Sequence, residues 1–325
     1  MARSDLLLAL VSSGAGGDDL AFRRAAEALI AEEENKNHGI LAAQLSDALS
    51  RRRSGAAPNV TQLARDNGLG SLFYEQEPER RISELVIPPV VRQTVTDVIE
   101  EHHRRDLLRS HGIEPRHRLL FVGPPGDGKT SLAEAVATEL AVPLITVRYE
   151  GLIGSFLGET AARMESLFAA VRIRPCVLFF DEFDAVAKER GDIHETGEIK
   201  RVVSSLLLQV DRLPSHVVVV AATNHAELLD RAVWRRMQVR VELPHPSRAA
   251  KVEWLHAWST KTGIEFGFTP RTIADRVGNV SFAELADFAE DVRRRSILTG
   301  PEPEMRNVTQ QVLAQWLARA ESPEQ

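Results

Sequence analysis

Eight consecutive residues, Gly123-Pro124-Pro125-Gly126-Asp127-Gly128-Lys129-Thr130, satisfy the pattern G-x-x-x-x-G-K-T without a mismatch. They follow an apolar run at 119–122 and precede a helical stretch at 131–140, the strand–loop–helix setting the pattern requires. Glycines in such a loop let backbone N–H groups wrap phosphate oxygens, and the helix N-terminus adds positive potential. Lys129 is placed to reach β- and γ-phosphates, and Thr130 to offer a hydroxyl to Mg2+. A second reactive pair, Asp181-Glu182, comes directly after the apolar run Val177-Leu178-Phe179-Phe180. A buried strand ending in two carboxylates sets both at the carboxyl edge of a sheet, beside the phosphate loop. There Asp181 holds Mg2+ through water, and Glu182 positions or deprotonates the attacking water. Acids after a strand are usually a solvated turn. Beside a phosphate loop they describe phosphoryl transfer.

Such groups need a sheet to hold them. Apolar runs at 119–122, 144–147, 177–180, 217–222 and 239–243 alternate with amphipathic segments, which predicts βαβ units around a parallel five-stranded sheet, an α/β core. After Pro244-His245-Pro246 only helical periodicity continues, as in Phe282, Leu285, Ala286 and Ala289. Before the core, Phe22, Ala26, Leu29 and Ile30, and then Leu41, Leu45 and Leu49, predict a small helical bundle. The resulting plan is a helical docking segment at 1–55, a linker at 56–80, the α/β core at 81–245 and a helical domain at 246–325. Arg51, Arg52 and Arg53 read as a helix C-terminus favoured by its dipole rather than a nucleic-acid patch.

Composition narrows the function classes. With 325 residues, 43% hydrophobic and 26% charged, the chain has enough apolar mass for a sizeable core, which excludes wholesale disorder. Its apolar runs fall far short of the roughly 20 residues that span a bilayer. A formal charge of −6 argues against coating nucleic acid through bulk positive charge. The single cysteine, Cys176, fits a reducing compartment and reads as an inert core thiol, so a cytoplasmic location is expected. Neither His102-His103 nor the scattered histidines have metal-ligand spacing.

The phosphate loop, Asp181-Glu182-Phe183-Asp184 and Ala221-Ala222-Thr223-Asn224 together resemble the AAA+ ATPases, most closely the subset with FtsH, katanin, spastin and the proteasomal ATPases. The resemblance runs from about residue 84 to 295. It implies a P-loop NTPase core followed by an all-helical lid, with ATP and Mg2+ bound by Gly123 to Thr130 together with Ser131 and Asp181. It implies that Asn224 orients the lytic water. Leu229-Asp230-Arg231-Ala232-Val233-Trp234-Arg235-Arg236-Met237 matches the segment bearing arginine fingers, although the usual Pro-Gly between the arginines is missing. Arg235 and Arg236 are therefore the finger candidates, acting from a neighbouring subunit in a homo-oligomer, usually a hexamer. Phe156, Leu157 and Gly158 resemble the pore loop of members that thread polypeptide, and residues 189–200 resemble either a second pore loop or a solvated loop. Asp211-Arg212-Leu213 stands where the family has an intersubunit signalling segment, and Glu84-Leu85-Val86 where it meets adenine. Asp127 replaces the usual threonine; its carboxylate is expected either to point to solvent or to weaken ATP affinity. Asp184 is expected to cap the next helix or support Asp181.

Three functions follow from this reading. The leading one is an ATP-driven remodeller of a protein substrate, built as a homo-oligomeric ring. The alternative is a nucleotide-gated switch or adaptor that controls a partner protein, in line with a weaker resemblance to small bacterial AAA proteins encoded beside subtilisin-like proteases. A DNA-directed role is disfavoured by the negative charge, and no membrane partner is expected.

Overall fold

The structure, a computed structural model, describes residues 69–152, 157–184, 196–301 and 303–321. The helical segment expected at 1–55 lies outside the described residues. Those described belong to one compact unit, Val60–Gln325.

A single sheet carries the core. Its strands are β1 (Phe73–Gln76), β2 (Arg118–Val122), β3 (Leu144–Val147), β4 (Cys176–Phe180), β5 (Val217–Thr223) and β6 (Val239–Glu242), in the order β1-β3-β4-β5-β2-β6. The five strands expected from the apolar runs pair in parallel. The sheet nevertheless has six strands. β1 adds antiparallel to β3, with Phe73 opposite Val147 and Gln76 opposite Leu144. The segment 56–80, expected to be a linker, thus contributes the edge of the sheet. This strand has only four residues, and one of its two buried positions is Glu75, so its sequence carries little periodic signal. What holds it is long-range: ladder bonds to β3, and the buried Glu75 carboxylate paired with Arg174.

Continuous apolar runs arise because the parallel strands are covered on both faces. Leu120, Leu178, Phe180, Val217, Val219 and Ala221 pack on one side. There they meet α3 (Leu157–Arg172), α4 (Thr196–Asp211) and α5 (Arg231–Arg236). Their neighbours Leu119, Phe121, Val177, Phe179, Val218 and Val220 face α1 (Pro89–His103) and α2 (Lys129–Glu139). Pro89 at the first position of α1 loses no helical bond there.

Past β6 the chain is helical: α6 (Arg248–Thr262), α7 (Pro270–Arg276), α8 (Phe282–Thr299) and α9 (Met305–Glu321). These four build their own core from Leu255, Phe266, Ile273, Leu285, Phe288 and Val308. Ser247, Thr269 and Ser281 cap the first three, and Ser281 with Glu284 completes a capping box on α8. No helix among the described residues is long and apolar enough to cross a membrane.

Candidate functional site

The carboxyl ends of β2, β4 and β5, three adjacent strands, deliver the phosphate loop, Asp181-Glu182 and Asn224 to one edge of the sheet. This edge and the lid enclose a cleft of about 870 Å³. Pro125 to Ser131, Asp181, Glu182 and Asn224 line it from the core, and Trp254, Trp258 and Phe282 line it from the lid.

Backbone conformation explains the loop's glycines at two positions. Gly126 sits at φ +79°, and a Cβ there would come within 2.8 Å of Ser281 Oγ and 3.0 Å of Ala283 Cβ. At Gly123 a Cβ would lie 2.1 Å from the carbonyl oxygen of Leu243. The loop is thus packed between the lid and the chain leaving β6, where only glycine fits. Lys129 is buried at the first position of α2, and its Nζ donates to the carbonyls of Gly123 and Pro124 at 2.7 Å each. Burial lowers the Lys129 pKa, opposed by the nearby carboxylates of Asp181, Asp127 and Asp184. The ammonium is held in the loop by the carbonyls and directed by them.

Residues 51 positions apart meet next to it: Thr130 Oγ1 donates to Asp181 Oδ2 at 3.0 Å. Asp181 Oδ1 accepts the backbone N–H of Glu182 at 2.9 Å. Glu182 itself is exposed and sits in the left-handed region at φ +47°, a conformation that costs a non-glycine residue about 1–3 kcal/mol. The neighbouring turn holds it there: buried Phe183 donates its N–H to the carbonyl of Ala222 at 2.8 Å. Asp184 is expected to cap the next helix, whose residues from 185 on lie outside the described ones, or to support Asp181. Its buried carboxylate accepts Thr223 Oγ1 at 2.9 Å, and the same hydroxyl accepts the N–H of His225 at 3.0 Å. Residues 223 and 225 are thereby fixed on either side of Asn224. Asn224 Oδ1 is buried and has no hydrogen-bond partner among the described residues. Asn224 lines the cleft, and an unspent amide acceptor there suits a group that orients water.

Asp127 neither points to solvent nor stands bare beside the phosphates. Its side chain is fully buried, with Oδ1 3.3 Å from the N–H of Phe282 and Oδ2 2.9 Å from His245 Nδ1. Glu84, Leu85 and Val86 line the cleft, as the resemblance implies for the base, and opposite them stand Trp254 and Trp258. Sequence reading missed these tryptophans, although their i, i+4 spacing on a helix was a usable signal. Arg80 was missed too. Its guanidinium donates to Ser131 Oγ at the cleft wall.

The two finger candidates differ. Arg236 Nε donates to Asp211 Oδ2 at 2.7 Å, and Arg118 Nη1 donates to Asp211 Oδ1 at 2.6 Å. Arg235 is exposed at the end of α5, with no ion-pair partner among the described residues, and does not line the cleft. Phe156 lies outside the described residues, while Leu157 and Gly158 open α3.

Residues 119–245 match the model of the family described as "AAA: ATPase family associated with various cellular activities". The chain is 38% identical over 289 residues to the uncharacterized AAA family ATPase y4kL of Sinorhizobium fredii, covering 88% of this chain and 86% of that protein. It is 39% identical over 153 residues to the cell division cycle protein 48 homolog of Archaeoglobus fulgidus, covering 46% of this chain and 21% of that protein. It is 40% identical over 153 residues to the peroxisomal ATPase PEX6 of Komagataella phaffii, covering 45% of this chain and 13% of that protein. Against the latter two, the similarity spans less than a quarter of the relative's length.

Proposed function

The chain belongs to the AAA family of ATPases and hydrolyses ATP; from that premise we propose that it is an ATP-driven remodeller of protein substrates, working as a homo-oligomeric ring. Arg235 carries this reading. The cleft's own cations among the described residues are Lys129, Arg80 and Lys261, whereas Arg235 is exposed outside the cleft. An arginine placed there serves a neighbour's γ-phosphoryl group, a contribution worth roughly 10³–10⁵ in rate. Arg236, tied to Asp211 and through it to Arg118, orients α5 so that Arg235 projects.

Within one subunit the roles divide as follows. Backbone N–H groups of the loop and Lys129 bind the β- and γ-phosphates. Glu182 takes the proton of the attacking water, and Asn224, steadied by Thr223 and Asp184, orients that water. The facing hydroxyl of Thr130 and carboxylate of Asp181 form an oxygen-donor pair suited to a hard cation, so Mg2+ fits there. Mg2+ held by Thr130, and through water by Asp181, would supply neutralisation of charge on the phosphoryl oxygens. Resemblance of Phe156 to a threading pore loop favours polypeptide as the substrate.

Mixing tests the ring. Arg235→Ala chains have working clefts but lack the finger, and Lys129→Ala chains supply fingers without binding ATP. Mixed, they should recover part of the turnover that neither shows alone. No recovery at any ratio refutes the trans arrangement.

A further inference from the structure

We propose that Asp127 is a positioning residue that, with His245, clamps the phosphate loop to the first turn of α8 and so couples nucleotide binding to docking of the lid. The inference deepens the reading of the cleft as an ATP site and rests on it. Three pieces of chain that share no sequence neighbourhood converge on this carboxylate. From α8, the N–H of Phe282 approaches Oδ1 at 3.3 Å, and the next N–H, of Ala283, donates to the carbonyl of Gly126 at 3.0 Å. From the connector between β6 and α6, His245 Nδ1 lies 2.9 Å from Oδ2. From the loop itself come Gly126 and Asp127, with Gly126 pressed against Ser281 and Ala283 too closely for any side chain.

Physical chemistry explains why an acid is tolerated in a loop that grips phosphates. The first amides of a helix lack intrahelical acceptors and carry positive potential, so a carboxylate there is favoured. Burial raises the Asp127 pKa, against the pull of His245, the Phe282 amide and Lys129, with Glu284 as the nearby like charge. The α8 N-terminus and the connector both bury the carboxylate and supply the groups that offset the cost of that burial. The loop atoms that hold the lid belong to the same turn whose N–H groups hold phosphate. Ordering that turn once serves both partners, which is a source of cooperativity without a large structural change. Linkage then makes the effect reciprocal: the factor by which ATP secures the lid equals the factor by which lid docking tightens ATP.

The test uses the full chain and compares the parent, Asp127→Asn, His245→Gln and the double variant. Two quantities are read: affinity for a fluorescent ATP analogue with Mg2+, and hydrogen exchange of the peptide containing Phe282 and Ala283 with and without ATP. The clamp predicts that each single variant weakens analogue binding by roughly tenfold, the size of one close contact to a partly buried charge. It predicts that ATP protection of α8 falls by a similar factor, and that the double variant is no worse than the worse single one. If Asp127 acted only as a like charge near the phosphates, Asp127→Asn would bind more tightly, and that sign overturns the proposal. Additive effects in the double variant, or unchanged ATP protection of α8 in either single variant, also overturn it. Should Asp127→Asn fail to fold, His245→Gln, at a half-exposed side chain, decides alone by the equality of the two factors. A parent that binds no analogue refutes the ATP-site reading itself, and the clamp with it.

Discussion

Thr223→Val removes one hydroxyl and leaves the shape of the side chain nearly unchanged. Thr223 is completely buried and its hydroxyl has two partners, the carboxylate of Asp184 at 2.9 Å and the N–H of His225 at 3.0 Å. The bond to the carboxylate is worth about 1.5–3 kcal/mol and the bond to the amide about 1 kcal/mol, so stability should fall by about 3 kcal/mol. For a unit of this size each kcal/mol lowers Tm by about 2–4 °C, giving a drop of about 6–12 °C. Activity should suffer separately. Thr223 does not line the cleft, so ATP affinity should hold, but Asn224 loses a support on each side. A displacement on the order of 1 Å in a positioning group reduces turnover by about 10²-fold. Steady-state ATPase assays below the melting range, with a parallel measurement of ATP affinity, separate the two effects. Thr223→Ser keeps the hydroxyl and should restore most of the turnover. Parental kcat in a folded Thr223→Val chain would refute the positioning role assigned to Thr223 and Asp184.

Other outcomes follow from the same geometry. Glu182→Gln should bind Mg-ATP normally while kcat falls by about 10²–10⁴, because the phosphate contacts of the loop remain but the water loses its base. Single-turnover phosphate release measures it, and near-normal release would displace Glu182 from that role. Cys176 lies in β4 with its thiol pushed up to about 12 by burial. A thiol reagent at pH 8 should label it only after denaturation, and rapid labelling of the native chain would contradict its placement in the core.

Much of the chemistry is local, and what is local was legible in the sequence. The phosphate loop is one contiguous turn between a strand and a helix, and Asp181-Glu182 terminates a run of five buried residues. The five parallel strands declare themselves because burial on both faces demands uninterrupted apolar runs. Which strands lie side by side was not legible, since ladder bonds join backbones and leave no residue-type pattern. Adjacency of β4, β5 and β2 is what brings Thr130 to Asp181 and Asp184 to Thr223. The antiparallel strand β1 escaped because four half-polar residues have no period to read, and only pairing with β3 gives them structure. Arg235 and Arg236 are chemically identical neighbours. Only the position of Asp211 in space, 25 residues upstream of Arg236, separates the tethered one from the exposed one. For Asp127 the sequence offered solvent or repulsion, and the fold supplied a third answer. A carboxylate is stabilised by whichever donors and charges surround it, and here the Phe282 N–H and the His245 ring are 155 and 118 residues away in the chain. Residue types and spacing tell which groups can do chemistry, and strand order and packing set which of them face one another.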